Sequence, residues 1–406
     1  MVQAGWEVFD SREADIHAAR GVAIRNFPLK SSHGFADYLF YVDGKAAGVI
    51  EAKKEGSTLT GVEIQSAKYT QGLPDGLPRW GNPLPFSYES TGSETRFTNG
   101  LDPDPRSRPV FSFHKPETLA DWLDDILPGP ASGHGIVIGL PWDRSGIAAD
   151  AVPGLAESGR TFLERVRHLP PLIEEGLWPA QIKAIQNLEQ SLKENRPRAL
   201  IQMATGSGKT HTAISSIYRL IRFAGARRVL FLVDRGNLGD QTLKEFQQYA
   251  SPCNNFKFTE EYIVQRLSSN TLDTTARVCI CTIQRMYSML KGKDLPEDLE
   301  EVSPAFLPPL QGEGSGGDGF GLFKQPEPIE YNPSIPIESF DIIVTDECHR
   351  SIYNLWAQVL EYFDATLIGL TATPSKQTFG FFHQNLVMEY NHEMAVADGV
   401  NVNYDV

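Results

Sequence analysis

Met203-Ala204-Thr205-Gly206-Ser207-Gly208-Lys209-Thr210 is the stretch on which the fold turns. It closes the apolar run Ala199 to Met203 and opens Thr210 to Ala224, a segment of helical character. A glycine-rich loop between strand and helix lets backbone N–H groups surround phosphate oxygens, and the helix dipole favours the anion. In that reading Thr205, Gly206, Ser207 and Gly208 form the cradle. Lys209 reaches the β- and γ-phosphates of ATP, and the Thr210 hydroxyl ligates Mg²⁺. Met203 stands where the general pattern G-x-x-x-x-G-K-[ST] opens with glycine, so the bare pattern is imperfect. A Gly-rich turn with a chance lysine is the competing reading, disfavoured by the strand before it and the helix after.

The surroundings agree with a nucleotide domain. Gln181 to Asn195 has helical periodicity, and Arg228 to Val233, Val278 to Thr282, Phe340 to Thr345 and Thr366 to Leu370 read as buried strands. Strands alternating with helices imply an α/β domain with a mostly parallel sheet. Asp346 and Glu347 follow the apolar run Ile342-Ile343-Val344. At a strand end Asp346 can hold the Mg²⁺ shell, and Glu347 can polarise an attacking water. Thr371 and Thr373 follow the next apolar run, where their hydroxyls can link a nucleotide site to a nucleic-acid site. Lys291 to Ser339 is rich in Pro, Gly and acids, including Gly312 to Gly317, and reads as a mobile loop.

The first third carries a different chemistry. Phe35 to Val42 and Ala46 to Ala52 flank Asp43-Gly44, a hairpin signal. Asp37 lies on one strand, and Glu51 and Lys53 lie two apart on or beside the other. Two carboxylates holding Mg²⁺ beside a lysine that orients water is what a metal-dependent nuclease needs. A strict two-residue turn would pair Asp37 with Ile50, so a bulge or a longer loop is required to bring Asp37 and Glu51 to one face. Gln65 and Tyr69, four apart in a segment read as the start of a helix, share a face and can steady the scissile phosphate or the lysine. Solvated charges on an edge hairpin are the bland alternative. Tyr88 to Ser90 and Thr95 to Phe97 read as short strands, Pro128 to Ala156 as an irregular connector, and Arg160 to His168 as a linking helix.

The 406 residues and 41% hydrophobic content allow real cores in two to three domains. A net charge of −14 means that any DNA contact rests on local Lys and Arg placement within an acidic body. Cys253, Cys279, Cys281 and Cys348 form no zinc spacing, and reduced thiols are expected. No signal peptide and no membrane-length apolar run is present, which points to a soluble, cytoplasmic protein.

Taken together, the second set of motifs resembles superfamily 2 helicases and translocases. The resemblance implies adenine reading by Gln181, a nucleotide set that includes His349, and DNA contacts from Arg235, Thr282 and Gln284. The first set resembles the PD-(D/E)xK nuclease fold with a downstream Gln-x-x-x-Tyr. The wider strings Gly34 to Tyr38, Gly48 to Gly56, Asp102 to Arg108, Phe113 to Pro116 and Asp346 to Tyr353 resemble the restriction (R) subunit of type I restriction–modification enzymes. That resemblance implies a restriction-endonuclease-like nuclease domain followed by one RecA-like parallel-sheet phosphate-loop domain. It further implies double-stranded DNA, methylase and specificity subunits as partners, ATP-driven translocation, and distant cleavage of unmodified DNA. The expected layout is a nuclease domain over 1–130, a connector over 131–170, and the first RecA-like domain over 171–388 with an insertion at 291–339. Residues 389–406 would begin the crossing to a second such domain. The resemblance also implies a first helix cut short before Gly5-Trp6 and a missing second RecA-like domain. From these follow weak ATP binding, almost no DNA-stimulated ATPase, no movement along DNA, and at most weak ATP-independent cutting. A non-cutting, ATP-dependent DNA-binding or remodelling module with a degenerate nuclease is the alternative, as is an inactive gene remnant.

Overall fold

A computed structural model describes residues 1–31, 33–59, 61–126, 160–295, 297–301, 328–352 and 354–401. The expected connector at Pro128 to Ala156, the run Gly312 to Gly317, and Tyr353 lie outside the described residues. The chain forms two compact units. One comprises Met1–Glu164 with Pro333–Glu338, the other Arg165–Asn332 with Ser339–Val406.

The first unit is built on a seven-stranded sheet whose spatial order follows the sequence: β1 (Glu7–Asp10), β2 (Gly21–Pro28), β3 (Phe35–Val42), β4 (Lys45–Ala52), β5 (Phe86–Ser90), β6 (Thr95–Asn99) and β7 (Arg108–Val110). The β1–β2 and β4–β5 pairs are parallel and the others antiparallel. The β3–β4 hairpin turns at Asp43 and Gly44, both at positive φ (49° and 73°), the left-handed pair that matches strand twist. Between β4 and β5 runs α1 (Val62–Thr70), and α2 (Pro116–Ile126) follows β7. Period-two alternation divides the core. Leu39, Tyr41 and Val49 join Leu73 and Leu84 in one apolar cluster, against which Tyr69 of α1 packs. A second, aromatic cluster gathers Phe40, Phe86, Tyr88 and Phe97 with Trp6, His114 and Trp122; the Phe97 and His114 rings lie 4.6 Å apart.

The second unit begins within the short helix α3 (Phe162–Arg167). Its seven strands are β8 (Arg198–Met203), β9 (Val229–Val233), β10 (Val264–Arg266), β11 (Val278–Thr282), β12 (Ile342–Thr345), β13 (Thr366–Thr371) and β14 (Leu386–Tyr390), in the spatial order β10-β11-β9-β12-β13-β8-β14. Every pairing is parallel. Strands β9, β11 and β12 are buried at every position, as expected of a parallel sheet covered on both faces. The helices named below are α4 (Pro179–Lys193), α5 (Lys209–Ala224), α6 (Gly236–Gln248), α7 (Phe258–Glu261) and α8 (Ile283–Leu290). No helix of the described residues is long and apolar enough to cross a membrane. Cys279, Cys281 and Cys348 are buried free thiols, and Cys253 is exposed.

Helices α4 and α5 are joined by a buried ion pair. Glu189 accepts from Arg219 Nε at 2.5 Å and from Nη2 at 3.1 Å, and Arg219 also donates to the Pro170 carbonyl at 2.5 Å. Removing one member strands the other charge out of water, a loss of about 3–5 kcal/mol. Glu189→Ala is therefore expected to lower the urea midpoint sharply. An unchanged midpoint would show that the guanidinium finds other compensation.

Candidate functional site

In the first unit the residues Asp37, Glu51, Lys53, Gln65 and Tyr69 come together. The hairpin ladder runs Val42↔Lys45 and Tyr41↔Ala46, then shifts so that Phe40 faces Gly48, Leu39 faces Val49 and Tyr38 faces Ile50. Ala47 is the extra residue of a bulge on β4. Continuing the shifted ladder sets Asp37 opposite Glu51, so both carboxylates leave one face. The cause lies at Gly48: a Cβ there would sit 2.3 Å from the Phe40 ring and 2.3 Å from the Phe86 carbonyl oxygen. Only glycine fits opposite Phe40, and the bulge puts glycine there. Gly48→Ala is expected to cost about 1–3 kcal/mol through overpacking and to weaken divalent-cation binding by disturbing the register. Parent-like denaturant and Mn²⁺ titrations would show that this close approach does not hold the bulge.

Asp37 Oδ2 accepts from the Ala52 backbone N–H at 2.7 Å. Lys53 Nζ donates to Glu51 Oε1 at 2.5 Å and to Gln65 Oε1 at 3.3 Å, while Gln65 Nε2 donates to the Tyr69 hydroxyl at 2.6 Å. The Lys53 backbone N–H extends the β4–β5 ladder to Ser90 O at 2.8 Å. Glu51 is only 4% exposed. Burial pushes its carboxyl up, with the Lys53 hydrogen bond opposing and the Asp37 charge adding. The hydrogen bond to Glu51, with the Glu51 and Asp37 charges, holds the Lys53 ammonium above its usual range. Two acids, one of them buried, face one ammonium and leave an excess of negative charge, which a divalent cation would offset. Among the described residues no group of three or more His, Cys, Asp or Glu is disposed to hold a metal. A two-carboxylate set suits Mg²⁺, which keeps several of its waters.

In the second unit β13 lies between β8 and β12, so the C-terminal ends of three parallel strands carry the phosphate loop, Thr371 and the Asp346–Glu347 pair side by side. Gly206 (φ 80°) and Gly208 (φ 81°) take the left-handed conformation the loop requires. Thr205, Gly206, Ser207 and Gly208 precede α5, with Lys209 and Thr210 in its first turn. A Cβ at Gly208 would lie 2.2 Å from Gln181 Nε2, so the Gln181 side chain rests on the loop. Gln181 Oε1 also accepts from the Trp178 N–H at 2.9 Å, closing the start of α4. Lys209 Nζ lies 3.9 Å from Glu347 Oε1. Glu347 itself sits at φ 46°, ψ 44°, a left-handed conformation rare for a side-chain-bearing residue and common at functional sites. His349 Nδ1 and Thr371 Oγ1 are hydrogen-bonded at 3.0 Å, and Thr371 Oγ1 accepts from the Thr373 N–H at 3.1 Å. Burial lowers the His349 pKa.

Burial raises the Asp346 carboxyl to about 6, with Glu347 adding and Lys209 opposing. A cation bound there must displace a proton below that pH. Mg·ATP affinity is therefore expected to fall, approaching tenfold per pH unit, as pH drops below about 6. Asp346→Asn should bind weakly with a flatter profile, and the same slope in that variant would place the titrating group elsewhere.

The three residues expected at DNA lie at the ends of the paired strands β9 and β11, where Thr282 faces Val233, and they differ in exposure. Arg235 caps α6, and its Nε donates to Asp234 Oδ2 at 3.3 Å while its side chain is 42% exposed. Thr282 is fully buried, and its hydroxyl accepts from the Arg285 N–H at 3.2 Å as the cap of α8. Gln284 is fully buried as well. Two features escaped the motif reading. Asp234, which stands beside Arg235 in its motif, is 2% exposed and accepts from Arg350 Nη1 at 2.9 Å, a pairing that ties the strand end of β9 to the Asp-Glu-Cys-His-Arg run. A cavity of about 140 Å³ lies beside the loop helix, lined in part by Leu172, Leu177, His211, Ser215 and Tyr249. The signal for it was His211 directly after Thr210, with Ser215 one turn on.

A parallel sheet with this phosphate loop, acidic strand end and threonine pair defines a helicase-like ATP-binding domain. Comparison with known proteins extends the reading. Residues 175–376 match the family described as type III restriction enzyme, res subunit, and residues 11–78 match the second domain of the type I restriction enzyme EcoKI endonuclease subunit. The EcoKI endonuclease subunit of Escherichia coli K12 is 23% identical over 99% of this chain and 34% of its own length. The EcoAI endonuclease subunit of Escherichia coli is 31% identical over 48% of this chain and 19% of its own length. Along nearly its whole length the chain is similar to type I restriction enzyme endonuclease subunits. It spans about a third of the EcoKI relative. A fragment structure assigned to the HsdR subunit of a type I restriction enzyme from Vibrio vulnificus YJ016 is 19% identical, covers 96% of this chain and 58% of its own, and superposes with a TM-score of 0.36.

Proposed function

We propose that the chain supplies the nuclease and ATP-binding parts of a type I restriction endonuclease, with a restriction-endonuclease-like domain ahead of a RecA-like one. The domains would run 1–130 and 171–388, joined by 131–170. The observation that carries the reading is the bulge on β4, which sets Asp37 opposite Glu51 with Lys53 on Glu51 at 2.5 Å. That arrangement argues against a degenerate nuclease.

Asp37 and Glu51 would hold Mg²⁺, which supplies Lewis acidity toward a phosphodiester and a more acidic bound water. Lys53, held by Gln65 and Glu51, orients the attacking water. Tyr69 fixes Gln65. In the ATP-binding domain the loop N–H groups and Lys209 bind phosphates, and Thr210 and Asp346 hold the nucleotide's Mg²⁺. Glu347 positions water, and His349 with Thr371 and Thr373 joins the two strand ends. Gln181 and the cavity beside His211 offer a place for the base. Arg235 is the exposed candidate for the DNA backbone, while Thr282 would act through the α8 cap and Gln284 from beneath it. Double-stranded DNA is the substrate in this reading, with methylase and specificity subunits as partners, and ATP-driven translocation belongs to the whole assembly.

Incubating supercoiled plasmid with the chain and Mg²⁺ tests the nuclease. Nicking that stops with chelator and is lost in Asp37→Ala is expected. Equal nicking by Asp37→Ala would remove the reading.

A further inference from the structure

A second buried acid stands beside the nuclease centre. Glu89 of β5 lies directly across the parallel ladder from Glu51, so the two side chains leave the same face of the sheet. Glu89 is fully buried. Its partners are neutral hydroxyls: Ser87 Oγ donates at 3.4 Å and Ser107 Oγ at 3.3 Å, and Ser66 of α1, whose hydroxyl also reaches the Val62 carbonyl at 3.4 Å, lies beside it. A buried carboxylate held only by hydroxyls is costly, and the like charge of Glu63 adds to the cost. A glutamine would keep one acceptor oxygen, present an NH₂ to the hydroxyl at the other, and carry no charge. Serine hydroxyls can turn to accept from such an amide, so hydrogen bonding alone does not require the charge.

The contacts around Glu89 lead to Lys53 by two routes. Ser66 follows Gln65 in α1, and Gln65 Oε1 accepts from Lys53 Nζ at 3.3 Å. Ser90, the next residue on β5, accepts from the Lys53 backbone N–H at 2.8 Å. Helix α1 and strand β5 thus hold the lysine's head and backbone, and Glu89 joins helix to strand.

We propose that Glu89 is a positioning residue of the nuclease centre, fixing α1 through Ser66 while its charge strengthens divalent-cation binding by Asp37 and Glu51. The proposal rests on the nuclease reading. Glu89→Gln keeps the shape and one acceptor oxygen and removes the charge. It should fold with parent-like or higher thermal stability, yet bind Mn²⁺ about three- to tenfold more weakly by calorimetry. Ser66→Ala keeps the charge and should leave Mn²⁺ affinity in place while cleavage falls. Unchanged Mn²⁺ affinity in Glu89→Gln overturns the proposal, and so does failure of that variant to fold, which would make the acid purely structural. Glu51→Ala is the reference. If it binds Mn²⁺ like the parent, the nuclease reading itself fails, whatever Glu89 does.

Discussion

Lys209→Ala is expected to weaken Mg·ATP binding by roughly 30- to 700-fold, the equivalent of about 2–4 kcal/mol for removing a charge-assisted hydrogen bond to phosphate in a partly buried site. In the structure the Lys209 ammonium stands 3.9 Å from Glu347, a long pairing that leaves the charge available to an incoming anion. It also opposes the upward shift of Asp346. Without it, two acids would face the phosphates with no lysine between them. The effect should therefore be selective. Adenosine, which carries no phosphate, should bind the variant and the parent alike, because Gln181 and the cavity beside His211 are untouched. Titration of Mg·ATP and adenosine against both proteins separates the two contributions. Equal Mg·ATP affinities would show that the loop does not cradle phosphate.

Lys53→Ala is expected to reduce Mg²⁺-dependent cleavage by about 10²–10⁴, the range for a positioned proton-transfer or water-orienting group. The same change should leave Mn²⁺ affinity unchanged or increased. Lys53 donates to Glu51 at 2.5 Å, so in the absence of metal it neutralises the acid that the cation must bind. Removing it frees Glu51 and leaves the two carboxylates to the cation alone. Cleavage and metal binding should thus move apart in Lys53→Ala. A variant that loses both together would make the lysine a support for the Glu51 carboxylate, and one that cleaves normally would take Lys53 out of the chemistry.

The local chemistry of this protein is legible in its residues. Gly206, Gly208 and Lys209 between an apolar run and a helix declare a phosphate loop because the order strand, glycine, helix start is itself the binding device. Asp43-Gly44 declares the hairpin because two successive left-handed residues suit that turn. The family resemblance rests on strings such as Gly34 to Tyr38 and Asp346 to Tyr353. Short or mixed strands left no such trace. β1 and β10 have no fully buried position, and their strand character comes from pairing with β2 and β11. Register was open too. The turn alone pairs Asp37 with Ile50, and only the Phe40 ring and the Phe86 carbonyl, both pressed on Gly48, shift the ladder to pair it with Glu51. Likewise the Thr371–His349 hydrogen bond exists because β13 inserts between β8 and β12, a choice made by packing across the sheet. Residue type and spacing along the chain determined which groups could do chemistry. Close approaches between segments far apart in sequence decided which of them meet, because a ladder can slip by one residue until a neighbouring side chain or carbonyl forbids it.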